Sequence, residues 1–444
     1  MEKTHFLDGV RMRVFLQNAF EEEFLNSSRS IRSPFYVSGC LFVLDIKKSF
    51  NSARGLLRIL IVEFGRAFGC ALKGRGVECG EHLRLALQAV HDDLATFASQ
   101  RKQSAPLPRP DQIREILIVK LDRVGDMVNT TPVFDKLRER YPFARLDIVG
   151  HPSVLSLLKE DPRLGEWFPY KSWLYHVGTM SPPGMAAWKL VRKLSKKRYP
   201  LVVYLRGTFP FLLLARHSRF LSAKFVEGEP VIRRYLKAIG ESELVEGQMP
   251  APVLHVCDMS RQSVLQKYSY LGSKPAVIIH AMSAAAGKQW PLERFARVAD
   301  ELSVRAQARV LFLASAAEKG KVAYISTLCR YQHDFDITLT LPEVVAAIAQ
   351  ADVFIGNDSG LAHIAAAVGT REVVIWGAAN LNMARPIAAP QKCSVLYREV
   401  PCRKACPEVR CVAVEYLKCL DSITVEEVIY EALRHLHEVR GEVT

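Results

Sequence analysis

From residue 111 onward the chain alternates short aliphatic runs with amphipathic stretches. Residues 116–121 form a continuous apolar run of buried-strand type. Residues 132–141 have helical spacing, with Pro132 at the first position, where a missing N–H is harmless. Residues 145–149 are strand-like again. Such a strand–helix–strand unit closes with its strands parallel and its crossover right-handed. A second region of the same kind opens near Lys274. There residues 276–280, 310–313, 353–356 and 373–376 read as strands, and residues 292–304, 342–351 and the Ala-rich 360–368 read as helices. The pattern predicts an α/β protein with two consecutive α/β domains and a cleft between them. Ligands are expected at the carboxyl ends of the strands.

The first 104 residues lack this alternation. Residues 56–72 are apolar but carry Arg58, Glu63 and Arg66, which suits a buried or interfacial helix. Residues 80–103 read as another helix, and SAPLPRP at 104–110 is a linker. A mainly helical N-terminal extension, residues 1–104, is therefore expected. The capping-box pattern T-V-E-E at Thr424 starts a last helix running to about Leu436.

Composition is ordinary for a globular chain of 444 residues, with 49% hydrophobic and 24% charged residues. The N-terminus shows no secretory pattern, and no run reaches the roughly 18 apolar residues that span a bilayer. A cytoplasmic protein is expected, with peripheral contact to the inner membrane open to it. The net charge of +14 is unevenly placed: residues 189–237 hold 13 Lys or Arg against Glu227 and Glu229. Such a field implies an anionic partner, a phosphorylated glycan or a lipid surface, unless it is merely a solvated face. Nucleic acid is not expected, because no aromatic residues are interleaved with the charge in a recognisable motif. Of ten cysteines, Cys402, Cys406, Cys411 and Cys419 cluster as C-x₃-C-x₄-C-x₇-C. Structural zinc, plain thiols and a redox pair all remain open for them.

Three loops that follow predicted strands could carry chemistry. In KLDRVGDMVNTTP (120–132), Gly125 permits a sharp turn, and Asp126 could take a proton from an attacking hydroxyl or simply cap the next helix. In HAMSAAAGKQWPLERF (280–295), small residues let phosphate oxygens approach the main chain and Lys288 adds a cation, unless that lysine is only solvated. In IGNDSGLAHIAAAVG (355–369), Asp358, Ser359 and Gly360 precede a helix whose N-terminus attracts anions, with His363 on its first turn. The competing reading makes Asp358 or Ser359 a helix cap and His363 a core residue. No G-x-G-x-x-G follows any strand, which argues against a dinucleotide oxidoreductase. Asp334-Phe335-Asp336 has the look of a metal-binding Asp-x-Asp but runs into a Leu/Thr-rich stretch, and no metal site is expected there.

Together the three loops resemble glycosyltransferase family 9, the heptosyltransferases of lipopolysaccharide core synthesis. ILIVKLDRVGDMVNTTPVFDKLRERYPFARLDIV is similar to that family's opening strand–loop–helix, GKQWPLERFARVADEL to its Lys-x-Trp-Pro segment, and ADVFIGNDSGLAHIAAAVGTREVVIWG to its most specific signature. The resemblance spans about residues 113–435. It implies a GT-B fold: an acceptor domain over 111–270, a donor domain over 271–425 and a C-terminal helix over 426–444 that could pack back on the acceptor domain. It implies inverting, metal-independent transfer without a cofactor, from a nucleotide-sugar such as ADP-heptose to a lipid-linked or phosphorylated glycan. Asp126 then matches the catalytic base and Lys288 the lysine that neutralises the donor diphosphate. Gly125, His280, Ser283, Asp358, Ser359, Gly360 and His363 fall on the donor site, and Glu318 is similar in place to the ribose-contacting acid. Two segments depart from the family: His280-Ala281-Met282 stands for His-Pro-Gly, and Trp376-Gly377-Ala378-Ala379-Asn380 for Phe-Gly-Pro-Thr-Asp. The departures leave open a donor other than ADP-heptose and a binding protein with weakened catalysis, and a nucleotide-sugar epimerase of the same fold is a further alternative.

Overall fold

The computed structural model describes residues 107–171, 185–241 apart from 224, 225 and 227, and 249–440 apart from 274, 284, 406–410 and 412–416. It also describes Ala95 and four strand backbones within residues 3–45.

Those four strands correct the expectation of a helical extension. Strands β1 (Lys3–Leu7), β2 (Val10–Leu16), β3 (Arg32–Val37) and β4 (Cys40–Asp45) form an antiparallel sheet in the order β1-β2-β4-β3. The signal lay in the turn residues. Asp8-Gly9 separates β1 from β2 and Ser38-Gly39 separates β3 from β4, and two-residue links of this type favour hairpins. V-R-M-R-V also alternates with period two, as a half-buried strand does. The helices expected at 56–72 and 80–103 lie outside the described residues, except that Ala95 is helical.

The next domain is built on β5 (Glu115–Lys120), β6 (Arg145–Gly150), β7 (Leu164–Pro169), β8 (Leu201–Arg206) and β9 (Arg219–Ser222). All are parallel, in the order β7-β6-β5-β8-β9. Between them run α1 (Val124–Val128), α2 (Thr131–Arg140) and α3 (Met185–Lys197), with α4 (Val231–Ala238) following β9. Helix α2 has Pro132 in its first turn and Arg138 and Arg140 in its last, where cations suit the helix dipole.

After α5 (Asp258–Lys267) comes the second sheet: β10 (Ala276–His280), β11 (Arg309–Leu313), β12 (Asp334–Asp336), β13 (Val353–Asn357), β14 (Arg371–Ile375) and β15 (Cys393–Leu396). Its order is β12-β11-β10-β13-β14-β15, again all parallel. Helices α6 (Leu292–Arg305), α7 (Lys319–Leu328), α8 (Leu341–Gln350) and α9 (Gly360–Val368) flank it. A capping box of Thr340 and Glu343 starts α8. Each sheet reverses its strand order beside its first strand, between β5 and β8 and between β10 and β13. Crevices at such switch points bind ligands.

The two domains share a core. One apolar cluster runs from Ile116 and Ile148 through Met127 and Val128 to Ala362, Ile364, Ala346 and Ile278. Helix α1 packs on α9, and α5 on α8. The link between the domains is tied down as well: Leu254 donates its N–H to the Ala367 carbonyl at 3.3 Å, and Arg163 reaches Asp161, Asp135 and the Val253 carbonyl.

Among the described residues the last helix, α10 (Val425–Arg440), packs on the second domain and not back on the first. Its Val428, Ile429, Ala432 and Leu436 lie in the core of the second sheet, against α6 and β14. Its apolar stripe matches the face left open by β10, β13 and β14, so burial settles it there. Among the described residues no helix is long and apolar enough to cross a membrane.

Candidate active site

Asp126 sits inside α1. The N-cap is Arg123, in extended backbone, and it makes no side-chain cap bond. The carboxylate of Asp126 is therefore not a helix cap; it sits partly exposed at the carboxyl edge of the first sheet. Burial by itself would raise its pKa. The charges of Lys120, Arg123 and Arg206, together with His363, outweigh that effect and hold it below the usual carboxylate range. An ionised carboxylate at neutral pH can act as a general base.

Close to Asp126 lies a second group of charged and polar residues. Lys120 ends β5 fully buried. Its ammonium donates to Asp122 (2.8 Å) and to the Tyr235 hydroxyl (2.6 Å) and lies 4.4 Å from the Tyr235 ring centroid. Burial, with the nearby Asp126 charge, pushes Asp122 up, while Lys120 and Arg206 pull it down. The visible clue was a lysine closing the otherwise apolar run ILIV. A charge in that position needs a buried partner.

The opposite lip belongs to the second domain. Lys288-Gln289-Trp290 divides its side chains between two sides. Trp290 is fully buried against Phe295 and donates its indole N–H to the Ile423 carbonyl, while Lys288 stays half-buried and pairs with Asp358 at 2.9 Å. Gln289 accepts the Ser283 N–H (3.0 Å) and donates to the carbonyls of Ala281 and Trp290. Asn357, fully buried at the end of β13, accepts the Trp290 N–H and donates to the Ala281 carbonyl. These two amides shape the loop, and the sequence marked them only as polar breaks in apolar surroundings.

Ser359 is the N-cap of α9 and makes no side-chain cap bond, so its own hydroxyl does not occupy the first-turn amides of this helix. Its hydroxyl lies 3.3 Å from His280 Nδ1. Burial, against the pull of Glu318, drives His280 down to about 4, so the ring is neutral at physiological pH. Glu318 itself forms a capping box with Ser315 before α7. It lies past β11, on the same edge of the sheet as His280. Gly377 completes the wall. A Cβ there would meet the Gly287 carbonyl oxygen at 2.2 Å, and Ala378 donates its N–H to that same oxygen. Only glycine permits this approach.

The lips meet where α1 crosses α9. His363 lies against Gly125, and Gly360 faces Val124. Burial lowers the His363 pKa against the opposing pull of Asp358 and Asp126, and Lys288 lowers it further. The site residues expected from the three loops, Gly125, Asp126, His280, Lys288, Asp358, Ser359, Gly360 and His363, thus come together.

Candidate metal ligands elsewhere are already engaged. Asp334 accepts from the Tyr270 hydroxyl, and Asp336 from Tyr268 and Lys267, so this tripeptide is an edge strand held by its neighbours. Ligand atoms of Asp300, Cys329 and His333 lie within 4.8 Å of one another. Asp300, however, already accepts the N–H groups of Arg330 and Tyr331 and bonds His333 Nε2 at 3.0 Å. Of the late cysteines, Cys419 is buried in the core and the Cys411 sulfur accepts the Leu417 N–H. Cys406 lies outside the described residues.

Two parallel sheets facing each other at their switch points, with a carboxylate on one lip and a cation and helix N-terminus on the other, define a GT-B glycosyltransferase. The fold matches a family 9 glycosyl transferase structure from Veillonella parvula with a TM-score of 0.63 at 19% identity, covering 75% of this chain and 99% of that one. It matches an Escherichia coli ADP-heptose lipopolysaccharide heptosyltransferase II structure with a TM-score of 0.59 at 20% identity, covering 73% and 99%. The family model described as glycosyltransferase family 9 (heptosyltransferase) matches residues 211–412. An Escherichia coli lipopolysaccharide heptosyltransferase 3 is 27% identical over 314 residues, 63% of this chain and 88% of that protein. A Haemophilus influenzae lipooligosaccharide heptosyltransferase 2 is 22% identical over 305 residues, 62% and 86%. Over these segments the chain is similar to glycosyltransferase family 9.

Proposed function

We propose that the chain transfers heptose from ADP-heptose to a lipid-linked or phosphorylated glycan of the lipopolysaccharide-core type. Transfer proceeds with inversion, without a metal or other cofactor, at the cytoplasmic face of the inner membrane. The observation that carries this reading is the meeting of Asp126 with the Lys288–Asp358 pair across the α1–α9 contact.

The acceptor hydroxyl attacks the anomeric carbon while Asp126 takes its proton, and the bond from that carbon to the diphosphate oxygen breaks on the opposite face. Negative charge then builds on the leaving diphosphate. Lys288, held by Asp358 at the start of α9, and the first-turn amides of that helix would receive it. A fixed cation and a helix N-terminus can do the work that a divalent ion does elsewhere. Neutral His280, with Ser283 and Ser359, would line the donor side, and Glu318, whose charge acts on His280, would take the ribose. Arg123 and Arg206 give the acceptor side its positive charge.

The departures from the family pattern favour a working enzyme over a weakened binder. Ala281, Met282, Ala378 and Ala379 are all buried, so their side chains fill core rather than crevice.

The test is chromatographic measurement of nucleoside diphosphate released from ADP-, UDP- and GDP-sugars, with and without a lipopolysaccharide-core acceptor. Acceptor-dependent ADP release that disappears in Asp126→Asn is expected. Release from a different nucleotide would overturn the donor assignment. A rearranged donor formed without acceptor would mean an epimerase, and no turnover of any nucleotide-sugar would mean a binding protein.

A further inference from the structure

Helix α3 carries two faces of opposite character. Ala187, Val191 and Leu194 are buried against the first sheet. On the outer side Met185 is 73% and Trp188 39% exposed, and Lys189, Arg192, Lys193 and Lys196 are exposed beside them. Positions 185, 188, 189, 192, 193 and 196 follow the three- and four-residue spacing of one helical face. No acid occurs between residues 185 and 200. Lys193 lies over the Phe168 ring at 5.2 Å. Among the described residues Lys189, Arg192 and Lys196 make no ion pair or other specific interaction.

The placement gives this face a direction. Helix α3 joins β7 to the parallel strand β8 and so runs opposite to the sheet. Its N-terminal end, with Met185 and Trp188, lies at the carboxyl edge, the same edge from which α1 presents Asp126. An aromatic ring and a flexible thioether next to a cationic stripe fit the boundary of an anionic bilayer. There the ring and thioether enter the headgroup layer and the cations meet lipid phosphates.

We propose that α3 is the element by which this chain docks on an anionic phospholipid surface, with Met185 and Trp188 inserted and Lys189, Arg192, Lys193 and Lys196 on the phosphates. This rests on the reading that the acceptor is a lipid-linked glycan, whose attachment to the bilayer would bring it to the crevice mouth. Each cation near such a surface strengthens partitioning roughly fivefold.

The experiment is co-sedimentation of the full chain with vesicles of phosphatidylglycerol and phosphatidylethanolamine, against vesicles of phosphatidylcholine alone. Binding to the first and not the second is expected, weakening with salt. The K189E/R192E/K193E variant should bind at least about 100-fold more weakly. M185S/W188S should lose the salt-resistant part while keeping its thermal melting point. Equal binding to neutral vesicles, or variants that bind like the parent chain, would overturn the proposal. So would charge-reversed protein that still binds vesicles but loses turnover of a delipidated, soluble acceptor, because the cations would then be acceptor contacts. Vesicle binding by a chain that turns over no lipopolysaccharide-core acceptor would sink the acceptor reading and leave the docking element standing.

Discussion

Gly125 lies directly against the imidazole of His363, so close that a Cβ at position 125 would come within 2.7 Å of His363 Cδ2. The contact joins the two domains where the proposed base and the proposed diphosphate site meet. Gly125→Ala should push α1 and α9 apart, because the ring is boxed in by its own buried helix. A misplacement on the order of 1 Å costs about 10²-fold in rate, so kcat/KM should fall by roughly that factor while the chain stays folded. Parent-like kinetics in this variant would show that the contact does not set the catalytic geometry.

Asp126→Asn should lower kcat by about 10²–10⁴-fold, the usual contribution of a positioned base. The pH dependence is a sharper test. The folded pKa of Asp126 is depressed, so the ionised, active form persists down into acid and is lost only as pH falls through that low value. Arg206→Gln removes one of the cations responsible. The acid limb of the kcat/KM profile should therefore move to higher pH. An unmoved limb would mean that the titrating group is not Asp126.

Lys288→Met removes the cation expected to receive charge as the sugar–diphosphate bond breaks. Losing one such donor costs about 10²–10³-fold in kcat. Steady-state kinetics with donor varied should show the larger loss in kcat. A change confined to KM would make Lys288 a ground-state binding contact only.

Glu372 should make stability depend on pH. It is fully buried on β14, and among the described residues neither carboxyl oxygen has a hydrogen-bond partner apart from the Cys393 thiol. Burial pushes its pKa up to about 8 against the pull of that thiol. The folded chain thus keeps a proton that the unfolded chain releases earlier. The stability is fully present below the ordinary value of 4.5 and is lost as pH climbs towards about 8. The loss is on the order of a few kcal/mol. In Glu372→Gln, melting temperatures measured across this range should lose that slope. A slope identical to the parent's would assign it to other groups.

The sequence by itself determined the opening strand–helix–strand unit of the first domain, the central strands and helices of the second, and the loops that hold Asp126, Lys288, Asp358 and His363. Those are local matters: apolar periodicity sets the element, and a strand end followed by a helix start sets the loop. Asp8-Gly9 and Ser38-Gly39 are local signals too, and the strands they separate stand within what composition suggested was a mainly helical extension. Only the tertiary structure decided the rest. It brought Lys120 to Tyr235, 115 residues away, and Asn357 to Trp290, 67 residues away. It also laid α10 on the second sheet and set β5 beside β8 and β10 beside β13 at the two switch points. Strand order and the partners of buried polar groups depend on contacts between distant segments, and no local pattern of residues encodes which of those contacts will form.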